Sequence, residues 1–301
     1  VSRRVERRAW AKINLCLSVA SPEPPDSPRP GWHRIASWFG AIDLYDTLVL
    51  TSLPTGRETF LERLWAPDAP RATPIDWPAE RDLALRALRL LEGHAGRPLP
   101  THLRIEKRIP VGGGLGGGSS DAAATLLAAN ELHRLGLSSD DLRRLGAQLG
   151  ADVPFFLDDH DPPRPALVTS FGERVERVDP VGGVIELAVP AFSCPTPEVY
   201  AALDRARPEP AVADEARVRR VIEQARRHGL HQADLFNDLA EPACMVRPGL
   251  ARLLEGLRAR GWRRALVTGS GACVFWPAVN SNPRPPDDSP DLPVILRLGL
   301  V

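Results

Sequence analysis

The sequence predicts an α+β fold built in two layers. Stretches with a two-residue apolar repeat are mixed with stretches of helical repeat, and the two kinds do not alternate strictly along the chain. Most of the helical stretches open on Ser, Asp or Pro and close on Gly, the punctuation of independent helices joined by loops. With 301 residues the chain suits one large domain or two moderate ones. A chain of that length buries roughly three quarters of the surface it exposes when unfolded, so its core needs no covalent staples.

The elements follow in order. RAWAKINLCLSV reads as an early strand, and SPEPPDSPRPGWH as a proline-rich loop. AIDLYDTLVLTSL is a second strand. WPAERDLALRALRLLEGHAG is a helix with a cap-like start and a glycine stop. THLRIEKRIP is a strand ended by proline, and the helix DAAATLLAANELHRLG follows a glycine-rich segment. SSDDLRRLGAQLG is a further capped helix, and GGVIELAVP a strand. DEARVRRVIEQARRHG and PGLARLLEGLRARG are amphipathic helices. RALVTGSGACVFW reads as strand, glycine turn and strand; NSNPRPPDDSPD reads as loop or disorder, and VILRLGLV as a lone strand.

Composition excludes several classes. The 38 basic and 38 acidic residues cancel, which argues against a nucleic-acid surface. Four scattered cysteines, with no CxxC and no histidine cluster, argue against zinc and disulfides and for reduced thiols. No apolar run reaches the ~18 residues of a membrane span. The arginine-rich start lacks an apolar core, so no targeting segment is expected and a cytoplasmic setting follows. Only two of the 38 basic residues are lysines, Lys12 and Lys107. In such an arginine-biased chain a retained lysine suggests a need for an ammonium, because the two cations are not interchangeable. Lys12 is read that way; Lys107, at a strand end, is read as solvated.

The segment KRIPVGGGLGGGSS carries the strongest functional signal. Six glycines within seven positions let backbone N–H groups approach a ligand closely. Ser119, Ser120 and Asp121 are good capping residues for the helix that follows. A loop of this kind leading into a helix N-terminus is an anion site, and phosphate is its usual occupant. A flexible linker would lead into polar loop rather than into a capped helix. The GxxxxGK[ST] pattern is absent. GGGLGG satisfies GxGxxG from Gly112, but a dinucleotide site also needs an acidic residue about 20 positions on, and Glu131, Asp140 and Asp141 are loose candidates.

PVGGGLGGGSSDAA resembles the phosphate-binding motif of the GHMP kinases, the superfamily of galactose, homoserine, mevalonate and phosphomevalonate kinases. Within it AKINLCL (Ala11–Leu17), GWHRIASWF, GADVPFFL (Gly150–Leu157) and TGSGACVF (Thr268–Phe275) resemble, in order, motifs of the branch that phosphorylates a cytidine-diphospho alcohol in non-mevalonate isoprenoid synthesis. The resemblance implies a two-domain fold: residues 1–158 an ATP-binding domain like ribosomal protein S5, and residues 159–301 a ferredoxin-like domain. It implies an ATP-dependent small-molecule kinase that acts as a monomer or weak homodimer.

The resemblance also distributes roles. Asp152 would take or orient the hydroxyl proton, with Lys12 beside it. ATP would lie along Pro110, Val111, Gly112, Gly113, Gly114, Leu115, Gly116, Gly117, Gly118, Ser119 and Ser120, and Ser120 would ligate Mg2+ on the phosphates. Asn14, Trp32, His33 and Tyr200 would hold the cytidyl end, and Thr268, Gly269 and Gly271 would lie near the phosphates. Pro154 allows Asp152 a second reading, as a helix cap. Two stretches depart from the family pattern: VTSFGE stands where A-R-G-x-G-E is usual, and a proline-rich stretch replaces the last helix. Another GHMP kinase of the homoserine or mevalonate type, or a non-catalytic nucleotide sensor on the same fold, are the alternatives. The AKIN and GWH stretches speak against the first, and retention of Lys12 with Asp152 against the second.

Overall fold

The computed structural model describes residues 2–278 and 293–301, so the loop-like NSNPRPPDDSPD lies outside the described residues. The chain forms two compact units, each assembled from separate stretches: Val1–Ala11, Leu44–Pro110 and Gly116–Pro163 in the first; Lys12–Asp43, Val111–Leu115 and Arg164–Val301 in the second. Two long strands, β1 (Arg4–Pro22) and β2 (His33–Ser52), contribute one part to each unit.

The first unit continues with β3 (Phe60–Trp65), α1 (Leu83–Ala95), β4 (Thr101–Lys107), α2 (Gly117–Leu132), α3 (Ser139–Leu149) and the four-residue α4 (Val153–Phe156). β4 runs antiparallel to β2, with Leu48 opposite Ile105 and Leu50 opposite Leu103, and parallel to β3. Side chains alternate along β4, and Thr101, Leu103, Ile105 and Lys107 form its buried face. Helix α1 starts where Asp82 accepts from the Ala84 N–H and stops at left-handed Gly96, as its sequence signals predict. It packs on α2. Helix α2 buries residues all round its circumference, as an alanine-rich helix deep in a domain does. A reciprocal Ser138–Asp141 capping box opens α3.

The second unit adds β5 (Ala166–Ser170), β6 (Arg174–Arg177), β7 (Val184–Val189), α5 (Thr196–Ala206), α6 (Glu215–His228), β8 (Phe236–Asn237), α7 (Ala240–Val246), α8 (Pro248–Ala259), β9 (Leu266–Val267), β10 (Val274–Pro277) and β11 (Val294–Gly299). β5 pairs with Ile35–Phe39 of β2 and with β6, and β8 lies parallel to β1 at Cys16 and Leu17. A four-stranded sheet runs β11-β7-β10-β9. VILRLGLV is therefore not a lone strand: Val294–Gly299 pairs along the whole of β7. The core beside this sheet contains Val199, Leu203, Leu250, Leu254, Trp262, Val274 and Trp276.

Candidate active site

In the second unit the first half of the glycine segment meets the TGSG turn. Gly112 and Gly114 both adopt the left-handed conformation, with φ of 69° and 76°. A Cβ at Gly114 would overlap the Thr268 carbonyl oxygen and come within 3.2 Å of the Gly271 carbonyl, so two backbones pass where no side chain fits. The Cys273 N–H donates to the Gly113 carbonyl at 3.2 Å, and the Lys12 N–H to the Leu115 carbonyl at 2.9 Å. Lys12 itself is buried. Its Nζ donates to Asn14 Oδ1 at 2.7 Å and to the Gly114 carbonyl at 3.1 Å, and lies 4.8 Å from the centre of the Phe39 ring. Asn14 is fixed in turn: its Nδ2 donates to Ser37 Oγ and its backbone N–H to Thr268 Oγ1, both at 2.9 Å. Lys12, Asn14, Gly114, Thr268 and Gly269 are thus one cluster: a Cβ on Gly269 would sit 3.1 Å from Asn14 Oδ1 and 3.7 Å from Lys12 Nζ.

Two residues that support this cluster were not found from sequence. Asn237 Nδ2 donates to the Val267 carbonyl at 2.7 Å and the Gly269 carbonyl at 2.8 Å, which holds the glycine turn from beneath. Ser37 sits under Asn14. Both are short polar side chains inside apolar surroundings, a signal visible only as polar breaks in buried strands.

His33 and Tyr200 come together, with ring centres 4.8 Å apart. His33 Nδ1 donates to the Ala20 carbonyl at 2.9 Å, and Nε2 lies 3.6 Å from Asp204 Oδ2. Trp32 packs elsewhere. It is 51 % exposed and meets Phe171 edge to face at 6.0 Å.

In the first unit α2 begins at Gly117, with Gly116 left-handed at its cap. Ser119, Ser120 and Asp121 therefore do not cap the helix; they are its third, fourth and fifth residues, and Ser120 and Asp121 are buried. A glycine with φ of 72° takes the cap because it turns the chain into the helix without a side chain. Gly118 is exposed. Ser120 lines a cavity of about 90 Å³ with Trp10, Phe156 and Asp158 among others. Asp152 occupies the cap position of α4 but makes no capping hydrogen bond with its side chain.

Lys107 overturns the expectation of a solvated side chain. It is buried, donating to Asp121 Oδ2 at 2.5 Å and to Asp46 Oδ2. Asp46 Oδ1 also accepts the backbone N–H groups of Arg108 and Ile109. The cluster ties the exit of β4 to the N-terminal part of α2, on either side of the glycine segment. Burial disfavours the Lys107 ammonium, but the charges of Asp121 and Asp46 outweigh it and hold its pKa above the ordinary lysine value. Burial pushes the Asp121 carboxyl well above the usual range; Lys107 opposes that shift and the charge of Asp46 adds to it.

Residues 82–159 match the N-terminal domain model of the GHMP kinases. The chain is 34 % identical over 275 residues to the 4-diphosphocytidyl-2-C-methyl-D-erythritol kinase of Aromatoleum aromaticum, covering 91 % of this chain and 85 % of that one. It is 36 % identical over 275 residues to the enzyme of the same name from Ralstonia pickettii, covering 90 % and 84 %. The chain belongs to the 4-diphosphocytidyl-2-C-methyl-D-erythritol kinase family. A crystal structure of a 4-(cytidine 5'-diphospho)-2C-methyl-D-erythritol kinase superposes with a TM-score of 0.71 at 30 % identity, covering 98 % of both chains. The mevalonate kinase of Methanococcus jannaschii shares the fold alone, with a TM-score of 0.64 at 14 % identity over 100 % of this chain and 99 % of that one. The α+β architecture and the GHMP kinase fold expected from the sequence are those of this family.

Proposed function

We propose that this protein transfers the γ-phosphoryl group of ATP to the 2-hydroxyl of 4-diphosphocytidyl-2-C-methyl-D-erythritol. The observation that carries the reading is the Lys12 ammonium, held by Asn14 against the carbonyl of Gly114 in the glycine segment. Phosphoryl transfer asks a protein mainly for positioning and charge stabilisation. In this reading the glycine segment, Pro110 to Ser120, holds the phosphates on backbone N–H groups. Lys12 stabilises the charge that develops on the reacting oxygens. Asp152 takes the proton of the hydroxyl as its oxygen bonds to the γ-phosphorus and ADP departs. Thr268, Gly269 and Gly271 let backbone approach the phosphates, while Asn14, Trp32, His33 and Tyr200 hold the cytidyl end.

Among the described residues no cluster of three or more His, Cys, Asp or Glu side chains could hold a metal ion. Ser120, buried near the start of α2, would be the hydroxyl that holds Mg2+. The ion would neutralise phosphate charge. We read the chain as a monomer or weak homodimer of the cytoplasm. The division at residues 158 and 159 is kept as the proposed boundary between the ATP-binding and C-terminal domains.

Asp152→Asn tests the reading. Shape and hydrogen bonding persist while charge and basicity are lost. Steady-state kinetics should show kcat down by about 10²–10⁴-fold with both KM values nearly unchanged. A loss of less than tenfold would remove Asp152 from the chemistry. Faster turnover on homoserine or mevalonate than on the cytidyl alcohol would replace the substrate.

A further inference from the structure

The segment from Glu23 to Arg34 is a shaped loop that presents one open aromatic ring. The Glu23 carboxylate accepts from Ser27 Oγ at 2.9 Å and from Arg34 Nε at 2.7 Å. Its backbone closes on the far side of the loop: Glu23 N–H to the Trp32 carbonyl at 2.7 Å and Gly31 N–H to the Glu23 carbonyl at 3.0 Å. Trp32 is left half-exposed at the rim.

Phe171 reaches Trp32 from the β5–β6 turn, in the VTSFGE stretch that departs from the family pattern. Ser170 stands where that pattern has glycine, yet its φ is 63°. The left-handed conformation is strained for a residue with a side chain. Glu173 holds the turn by accepting from Ser170 Oγ and from the Phe171 N–H, both at 2.9 Å. Trp32 and Phe171, the variable position of the departing stretch, therefore meet edge to face.

Arg29 lies against both rings. Its guanidinium carbon is 5.2 Å from the centre of Trp32 and 4.7 Å from that of Phe171, and Arg34 is 4.8 Å from Phe171. Among the described residues Arg34 uses Nε on Glu23, whereas the Arg29 guanidinium makes no hydrogen bond and no ion pair. A guanidinium oriented by two rings, with its donor fork unspent, suits a phosphate oxygen.

We infer that Arg29 and Phe171 are further substrate-binding residues, completing with Trp32 a wall for the nucleoside-diphosphate end of the substrate. The rings stack the base and the Arg29 fork takes an oxygen of the diphosphate. The inference rests on the proposed function and deepens it.

Calorimetric binding of CDP and of cytidine to the full chain tests it, alongside kinetics on the cytidyl alcohol. Wild type should bind CDP at least tenfold more tightly than cytidine. Arg29→Met keeps the packed stem but no donors, so CDP affinity should fall about tenfold while cytidine changes by less than twofold. Phe171→Ala should weaken both several-fold, Phe171→Trp should restore both, and the KM for ATP should stay constant throughout. If wild type phosphorylates the cytidyl alcohol but Arg29→Met loses both ligands equally, or neither, the wall is overturned and the proposed function stands. If wild type neither binds CDP nor phosphorylates the cytidyl alcohol, the proposed function falls and the wall with it.

Discussion

The chain has two lysines, one in each compact unit, and they are buried in different company. Lys107 lies between two carboxylates, Asp46 and Asp121, one of which also anchors two backbone N–H groups. The oxygens that accept from Lys12 on Asn14 and Gly114 are neutral. The first surrounding spends the ammonium on tying β4 to α2. The second holds an ammonium against the glycine segment. Burial of a lysine by itself therefore says little about its role.

Lys107→Met is the harshest test of that contrast. It leaves Asp46 and Asp121 buried side by side without their cation. Breaking a buried pair from one side costs about 3–5 kcal/mol. Urea unfolding should show that loss as a lower midpoint with little change in slope. The KM for ATP should rise in the fraction that stays folded, because both ends of the glycine segment lose their tie. A loss below about 1 kcal/mol would mean that the cluster is not a structural tie.

Lys12→Met should reverse the pattern. Removal of one donor from a site of developing charge costs about 10²–10³-fold in kcat. The Asn14 and Gly114 oxygens lose a buried partner, so about 1–3 kcal/mol of stability should go as well. Kinetics and urea unfolding of the two variants together decide the comparison: if Lys12→Met is the less stable and Lys107→Met the slower, the roles have been exchanged.

Much of this was legible in the sequence, and the failures have physical causes. The glycine segment, the AKIN lysine and the capped helices announce themselves, because each depends on residue types at fixed local spacing. The strand that carries Lys107 also carried the signal of its burial. Thr101, Leu103, Ile105 and Lys107 share one face of an alternating strand, so the period places the lysine inward with the apolar residues. A strand end suggested solvent; the period was the better guide. Serine and aspartate are better cap types than glycine, so the sequence points to Ser119–Asp121, whereas the chain needs a left-handed turn and starts α2 at Gly117. The edge strand β3 alternates between exposed and half-buried positions and carried little apolar signal, and α4 is too short to show a period. The link between Trp32 and Phe171 joins residues 139 positions apart by way of a β-hairpin turn, which no local pattern encodes.

The smallest effect expected concerns the proton count of the Lys107 cluster. Three ionisable groups with one positive charge cannot all be charged without leaving a net negative charge buried. Burial pushes the Asp121 carboxyl up, so Asp121 is the group expected to hold the extra proton. An unfolded Asp121 titrates near the ordinary value of about 3.9. As pH rises above that value, the unfolded chain releases a proton that the folded chain keeps. The unfolded state then binds fewer protons, so this group's contribution to stability declines with rising pH, by at most about 1.4 kcal/mol per pH unit, until pH reaches the raised folded value. Asp121→Asn puts a neutral, non-titrating amide in the same place. Its stability at pH 4 should lie within about 1 kcal/mol of wild type, since there the replaced group is already largely neutral in the fold. Between pH 4 and 7 the variant should lose less stability than wild type as pH rises. Urea unfolding at half-unit steps of pH measures the difference directly. Parallel curves would mean that Asp121 is ionised in the fold throughout, so that Lys107 balances two full negative charges rather than one.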